Sequence, residues 1–269
     1  NNGGTVTGCI FSGSGSVSGN RYVGGVVGYN SSGTVTGCAF SGTVTGIYVG
    51  GVVGGNSGSN GSVEKCHNTG SVNGSVNSVG GVVGENSGSG PVKNCYNTGK
   101  VTGSAASSNV GGVVGLNRGS VENCYNTGSV SGDWYVGGVV GRNDGSVKNC
   151  YNTGTGTVTG TVDFVGGVVG QNFGGTVENC YNTVKVTGSS DYSYIGGVVG
   201  DNSGTVENCY NTGSVSGPNS GTSNYVGGVV GYNDGASVTN CYFLKTADVN
   251  KDLRGIGENV GSGDATATA

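Results

Sequence analysis

The sequence predicts an all-β fold, a parallel β-solenoid (β-helix) of about eight coils with three short strands each, and two observations support that prediction. The unit V-x-x-C-Y-N-T-G-x-V-x-G, followed by a loop and V-G-G-V-V-G-x-N, recurs about every 29 residues. The pentapeptide GGVVG occurs eight times, first at residues 24–28 and last at 227–231. A repeat period of roughly 20 to 50 residues is typical of solenoids, in which each unit packs only against its neighbours.

The residue types within the unit favour strands. Each unit holds three short runs that carry valine, separated by the glycine and asparagine that punctuate strands. Residues that favour helices are scarce, since the chain has no Met and almost no Leu. Three runs fit one coil, and eight coils at about 4.8 Å each would form a rod about 40 Å long.

The composition excludes several classes of protein. The chain of 269 residues contains 62 Gly, only 10% of its residues are charged, and its net charge is −4. Nucleic acid would require a basic stripe, so no nucleic-acid partner is predicted. No run of about 18 apolar residues occurs, so no membrane insertion is predicted. Because the chain lacks an initial Met and a visible signal peptide, we expect a mature fragment or a segment of a longer protein.

Equivalent residues of an in-register solenoid stack in columns along the rod. Alternation along the strand predicts that Cys and the Val three residues before it point inward, that the following Tyr points outward, and that the next Asn points inward. Buried Asn amides can hydrogen-bond the copies above and below them, which offsets the cost of burial. The structural columns predicted in this way include Cys95, Cys124, Cys150, Asn97, Asn126 and Asn152.

The cysteines lie one per coil, so they form a line and do not converge on a point. No metal site and no cofactor are therefore predicted. Disulfides between stacked coils have poor geometry, and nine is an odd number, so we expect buried free thiols and a source that lives without oxygen. The nine residues are Cys9, Cys38, Cys66, Cys95, Cys124, Cys150, Cys180, Cys209 and Cys241.

Three further columns have predicted orientations. In GGVVG the first Val is expected to face inward, and the second to form a flat outward strip that could pack against another rod. The Asn that ends the unit predicts a second Asn column, and the variable residue before it, such as Tyr29, is expected to face solvent. Two residues before Cys, an outward column alternates in sign from Glu64 through Lys93 to Glu122, which favours in-register pairing.

The loop between the second and third runs varies most in length, from residues 46–48 to residues 217–225. Insertions in solenoids map to one edge, which is often the binding edge. Aromatic side chains with nearby Asp residues could stack on sugars there, or they could shield the corner of the coil. The candidate partner-binding residues of this edge are Tyr22, Tyr48, Trp134, Tyr135, Phe164, Tyr192, Tyr194 and Tyr225.

The unit resembles the GLUG-motif repeat, whose consensus reads like V-G-G-L-V-G-x-N-x-G-x-I-x-N-C/S-Y-x-T-G-x-V. The resemblance covers about residues 1–245, with Val where the family often has Leu. Such repeats occur in large surface and secreted bacterial proteins, including adhesin-like proteins and the non-catalytic parts of some immunoglobulin A peptidases. The resemblance implies a bacterial β-solenoid module, extracellular or at the cell surface, and it implies no catalytic residues.

The repeats define one predicted domain, a solenoid over residues 1–244. The charged stretch 245–269 leaves the pattern and is expected to form a C-terminal cap with a linker-like tail, since a bare terminal coil exposes an open β-edge. The N-terminus has no comparable cap. We expect either more coils before Asn1 or pairing of that edge with another molecule.

The sequence offers little for catalysis. The single histidine, His67, has no Ser or Cys partner recognisable by spacing, and the acidic residues are spread one per coil. We expect a non-enzymatic structural or adhesive rod whose partner is another copy of itself or a surface glycan or protein. A carbohydrate-binding module is the alternative. Ice binding is a weaker one, because the T-V-T triplets do not stack in one continuous column.

Overall fold

The computed structural model describes residues 1–104, 109–218, 225–245, 253–260 and 265–269. Over these ranges the chain is all-β: short parallel strands wind into a solenoid of about eight turns of about 29 residues, as the repeat predicted. No helix of the described chain is long and apolar enough to cross a membrane.

The strands of successive coils stack in register into three parallel sheets. The three predicted runs correspond to these sheets, but a corner splits the first and third runs into two segments each, so a typical coil has five short segments. The first sheet contains Thr5–Thr7, Ile10–Phe11, Thr34–Thr36, Ala39–Phe40, Ser62–Glu64, His67–Asn68, Pro91–Lys93, Tyr96–Asn97, Ser120–Glu122, Tyr125–Asn126, Ser146–Lys148, Tyr151–Asn152, Thr176–Glu178, Tyr181–Asn182, Thr205–Glu207, Tyr210–Asn211, Ser237–Phe243 and Ala265–Thr268.

The two other sheets complete each coil. The second sheet contains Ser16–Ser18, Thr43–Gly46, Ser71–Gly74, Val101–Gly103, Val130–Gly132, Thr157–Gly160, Lys185–Gly188 and Val215–Ser216. The third sheet contains Val23–Gly24, Val27–Ser31, Val49–Gly50, Val53–Ser57, Ser78–Gly80, Val83–Asn86, Asn109–Gly111, Val114–Asn117, Tyr135–Gly137, Val140–Asn143, Phe164–Gly166, Val169–Asn172, Tyr194–Gly196, Val199–Asn202, Tyr225–Asp234 and Arg254–Val260.

The corner in the first sheet lies at the residue before each cysteine, which has a left-handed backbone. In six coils this residue is Asn with φ of 50–55°, as in Asn94 and Asn123. In the first two coils it is Gly8 and Gly37, and Lys65 is the exception with φ 52°. Asn and Gly tolerate this conformation at least cost, which explains why the motif admits these two residues before Cys.

A pinch at the Gly-Gly pair of each GGVVG divides the interior into two lobes. The second glycine backs onto the Asn column of the opposite wall, and a Cβ at Gly81 would lie 2.5 Å from Cγ of Asn97. One lobe holds the Val and Cys side chains of the first sheet with the Val pair of the third. The other lobe holds the Val side chains of the second sheet and those that precede the glycines.

The prediction that the second Val of each pair faces outward is wrong. Val52 and Val53 are both fully buried, and so are the equivalent Val82 and Val83. The N–H groups of Val52 and Val53 both donate to the carbonyl of Val82, at 3.0 and 2.9 Å, which is the geometry of a bulge. Strict alternation fails there, and both side chains turn inward. The second valines of GGVVG therefore form no outward strip that could pack against another rod.

The third glycine of GGVVG allows the third sheet to fold sharply on itself. A Cβ at Gly115 would lie 2.6 Å from the backbone nitrogen of Val79 in the preceding coil. The side chain of the variable residue before the closing Asn can lie inside this bend of the third sheet. Leu116, Gln171 and Asp201 are buried there, which corrects the prediction that this column faces solvent throughout.

The described residues after 244 extend two of the sheets. Arg254–Val260 pairs with Tyr225–Asp234 in the third sheet, and Ala265–Thr268 pairs with Ser237–Phe243 in the first. These two segments are therefore paired strands, although residues 245–269 were expected to end in a linker-like tail. The division of the chain at residue 244 into a solenoid and a cap stays a prediction.

Replacing the second glycine of one coil should be strongly destabilising. In Gly112→Ala the new Cβ would lie 2.5 Å from Cγ of Asn126 and would also meet the carbonyl of Gly138. We expect a loss of about 3 kcal/mol in the free energy of unfolding, measured by urea denaturation. The control is Gly13→Ala, whose Cβ would meet only the Phe11 ring at 3.8 Å. Equal effects of the two substitutions would contradict the pinch.

Candidate functional site: the aromatic edge and the side-chain columns

Most of the predicted partner-binding aromatics lie in one column at the start of the third sheet. Tyr135 pairs with Phe164, Phe164 with Tyr194, and Tyr194 with Tyr225. Their ring centroids are 5.3, 5.1 and 4.8 Å apart. The in-register repeat therefore brings four of the eight candidate residues into one contiguous group.

A second group lies towards the N-terminal end of the same edge. Tyr22 and Tyr48 stack with ring centroids 4.9 Å apart, and the guanidinium of Arg21 lies 5.2 Å from the Tyr22 centroid. Ser78 and Asn109 occupy the equivalent positions of the next two coils. The edge is thus interrupted and does not carry one continuous aromatic stack.

Two candidate residues lie outside this column. The Trp134 ring is half-buried, 6.5 Å from that of Tyr135, and its indole N–H is buried without a hydrogen-bond partner. Tyr192 keeps 72% of its surface exposed. Residues 219–224 of the longest predicted loop lie outside the described residues.

The aromatic edge also includes residues that the sequence pattern did not assign to it. Tyr29 and Tyr232 come from the variable column before the closing Asn. The Tyr29 ring lies 4.7 Å from Tyr22, and the Tyr232 ring lies 4.6 Å from Tyr194 and 5.5 Å from Tyr225. The signal that could have found them is the aromatic residue type itself, in coils that also carry a tyrosine at the start of the third sheet. Many ring faces of this edge are consequently covered by other rings.

Carboxylates lie among these rings, but they do not gather into a charged site. Asp201 is buried and accepts a hydrogen bond from Nε2 of Gln171 at 2.9 Å. Burial raises the pKa of Asp201 and that of Asp163. Asp133 accepts a hydrogen bond from the Thr161 hydroxyl at 2.6 Å. Within the described ranges, no group of three or more His, Cys, Asp or Glu residues is placed to hold a metal ion.

The tyrosines after the cysteines form a separate, regular stack on the first sheet. Successive centroids are 4.7–5.1 Å apart, and the ring planes lie within 1–5° of parallel. Burial, followed by the neighbouring phenols, raises the pKa of Tyr125 and Tyr181. Because both faces of each interior ring meet another ring, the stack offers mainly ring edges to solvent between its two ends. Its members are His67, Tyr96, Tyr125, Tyr151, Tyr181 and Tyr210.

The asparagines beside these tyrosines are buried and joined amide to amide. Nδ2 of Asn97 donates to Oδ1 of Asn126 at 2.8 Å, and Asn126 donates to Asn152 at 2.9 Å. The second column, which closes each coil, has the same arrangement, as in the 2.8 Å bond from Asn117 to Asn143. These bonds supply the partners that buried amides require.

The cysteine and charge columns complete the first sheet. Cys95, Cys124 and Cys150 are fully buried free thiols. On the outer surface Lys93 pairs with Glu122 at 3.4 Å, and an equivalent Lys–Glu pair forms two coils further along at 2.9 Å. Such exposed pairs contribute only a few tenths of a kcal/mol each, so they favour the register more than the stability.

The model of a family described as the GLUG motif matches residues 19–45, 46–73, 75–102, 106–131, 132–162, 165–187, 191–216 and 222–244. The chain belongs to the GLUG-motif family. A typical match begins near the loop before the third sheet and ends in the second sheet, so one GLUG repeat forms one coil.

Comparison with individual proteins adds little to the family assignment of this GLUG chain. No curated protein matches it. Among solved structures, the crystal structure of a candidate immunoglobulin A1 protease from Bacteroides ovatus is similar at 19% sequence identity. The similarity covers 88% of this chain and 69% of that chain, with a TM-score of 0.46.

The buried carboxylate of the aromatic edge should make stability depend on pH. Because burial raises the pKa of Asp201 in the folded state, its carboxylate costs stability as the pH rises through that pKa. Asp201→Asn should therefore raise the melting temperature at neutral pH, and this gain should shrink as the pH falls below the pKa. Thermal unfolding between pH 3 and pH 8 measures both effects, at roughly unit pH steps. The matched control is Asp191→Asn, because Asp191 is exposed. If the unsubstituted chain and the two variants showed the same dependence of melting temperature on pH, the burial effect would be contradicted.

Proposed function

We propose that this chain is a non-enzymatic extracellular module, a stiff β-solenoid rod of a bacterial surface protein or filament. Its role is to space or present, and its partner is another copy of itself or a surface glycan or protein. The observation that carries the proposal is the continuity of the Asn columns, in which the same hydrogen bond recurs from coil to coil.

Stiffness follows from how the coils are joined. Neighbouring coils share backbone hydrogen bonds on three sheets that surround the core. The two Asn columns add amide bonds inside the coil, so a bend would have to open bonds on one side. Solenoids of this kind behave as quasi-one-dimensional stacks whose stability is the sum of neighbour contacts.

The distribution of reactive side chains supports a non-enzymatic role. The imidazole of His67 lies at the end of the tyrosine stack, 4.7 Å from the ring of Tyr96. The acidic side chains recur as single members of columns, for example Glu122 and Glu178 beside lysines. General acid–base catalysis would require such groups to converge on one reacting atom.

A deletion of one coil tests the rod directly. Val121 and Val147 are in register, so removal of residues 121–146 places Val147 where Val121 was. We expect the variant to fold and its long axis to shorten by about 4.8 Å in X-ray scattering. The control removes residues 121–133, about half a coil, which breaks the register and should prevent folding. A flexible or globular scattering profile for the intact chain would contradict the proposal.

Carbohydrate binding at the aromatic edge is a second candidate, favoured by the exposed ring of Tyr192. Trp134→Ala with Tyr135→Ala should abolish binding on a glycan array while the circular dichroism of the rod is unchanged. Tyr192→Ala alone should weaken binding, because the exposed ring offers a face for a sugar. Thr98→Ala, in the connection between the first and second sheets, is the control. Glycan binding that survives the double substitution would place the site elsewhere.

A further inference from the structure

The chain contains three Asn-Gly pairs, and the fold places them in different settings. In such a pair the main-chain nitrogen of glycine can attack the side-chain amide carbon of asparagine, because glycine has no side chain to obstruct the approach. The attack requires an N–H group that is not engaged elsewhere and a backbone that turns at the asparagine. The three pairs are Asn2-Gly3, Asn60-Gly61 and Asn73-Gly74.

The pair Asn73-Gly74 is held in an extended strand. Both residues belong to the strand Ser71–Gly74 of the second sheet. Gly74 is buried and in register with Gly46 of the preceding coil and Gly103 of the following one, so the sheet holds its backbone from both sides. The Asn73 side chain stands perpendicular to the sheet, whereas the Gly74 nitrogen lies within the sheet. Ring closure at this pair would require the sheet to open locally.

The pair Asn2-Gly3 is held by a contact with the next coil. The N–H of Gly3 donates to the carbonyl of Ser31 at 2.9 Å, and Asn2 forms a parallel bridge with the same residue. The nitrogen that ring closure needs is therefore already engaged, and it is released only when this contact opens.

The pair Asn60-Gly61 lacks both restraints. It lies in the turn between the strands Val53–Ser57 and Ser62–Glu64, and Asn60 is exposed. Within the part of the chain that the structure describes, neither the Asn60 side chain nor the Gly61 N–H makes a hydrogen bond. The attacking nitrogen and the amide that it attacks are thus both without a competing hydrogen bond, in a segment that already turns.

We propose that Asn60 is a site of spontaneous deamidation in the folded protein, whereas Asn2 and Asn73 are protected by the fold. The Gly61 nitrogen loses its proton to solvent, bonds to Cγ of Asn60 and expels the side-chain nitrogen as ammonia, which closes a five-membered succinimide ring. One water molecule then opens the ring at either carbonyl and leaves aspartate or isoaspartate. An NH₂ group is exchanged for OH without oxidation, and the new carboxylate adds one negative charge at neutral pH.

The two products differ in their effect on the Asn column that closes each coil. The carbonyl of Gly61 accepts a hydrogen bond from Nδ2 of Asn56 at 2.7 Å, and the same Nδ2 donates to Asn86 at 2.8 Å. Aspartate leaves the main chain unchanged, so both bonds persist. Isoaspartate adds one carbon to the main chain before Gly61, which displaces this carbonyl and leaves a buried N–H of Asn56 without its acceptor. The isoaspartate form should therefore unfold at a lower urea concentration than the aspartate form.

Peptide mapping by mass spectrometry, after the full folded chain is kept at mildly alkaline pH, tests the proposal. Asn60 should deamidate about 100-fold faster than Asn73, because Asn73 reacts only in the small fraction of molecules whose second sheet is open. Asn2 should also react more slowly than Asn60. In concentrated urea the protection is lost, so the rate at Asn73 should rise to within a few-fold of the rate at Asn60. Reaction of Asn73 as fast as Asn60 in the folded chain, or an Asn60 that stays intact, would overturn the proposal.

Two glutamine variants assign the change in charge to one residue. Glutamine keeps the amide, but its longer side chain closes a larger ring and reacts more slowly. Asn60→Gln should therefore abolish the early acidic shift of the folded chain on isoelectric focusing, and the matched Asn73→Gln should leave that shift unchanged. Gly61→Ala is unsuitable, because a Cβ there would collide with the carbonyl of Ser57 and disturb the turn. An acidic shift that persists at the same rate in Asn60→Gln would place the reactive site elsewhere.

Discussion

Each residue of this rod lies about 4.8 Å from a copy of its own column in the next coil, and that spacing decides which side chains a column can hold. Valine and cysteine pack on themselves without polar cost. Asparagine satisfies both ends of its amide with the copies beside it, as Asn97 and Asn126 do. Tyrosine stacks face to face. Lysine and glutamate alternate over most of the charged column, as in the pair Lys93 and Glu122, until Glu178 and Glu207 follow one another.

The glycines shape the cross-section within that constraint. The second glycine of GGVVG brings the third sheet against the Asn column, and the third lets the sheet fold back on the preceding coil, as Gly81 and Gly115 show. The result is a pinched coil with two apolar lobes and an outer fold that contains aromatic rings. An aromatic edge can therefore exist without aromatic side chains in the core of the same sheet.

The sequence allowed the columns to be predicted because period and residue type agreed. Cys124 and Asn126 are buried and Tyr125 between them is half-buried, which is the alternation predicted for consecutive residues of an extended segment. Alternation failed at Val53, because the bulge beside it depends on hydrogen bonds between coils that a single repeat does not encode. Variability suggested exposure for Asp201, but its burial depends on how the third sheet folds. The aromatic edge could be located from the sequence. The way its rings cover one another could not be predicted, because it also depends on how the third sheet folds.

Both asparagine columns have one direction. Every side-chain bond along them runs from Nδ2 of one coil to Oδ1 of the next towards the C-terminus, as from Asn117 to Asn143 and from Asn97 to Asn126. The amide dipoles therefore add, much as peptide dipoles add along a helix. Their N–H ends point to the C-terminal end of the rod and their oxygens to the N-terminal end. The two asparagine columns therefore give the rod opposite partial charges at its two ends, with the positive one towards the C-terminus.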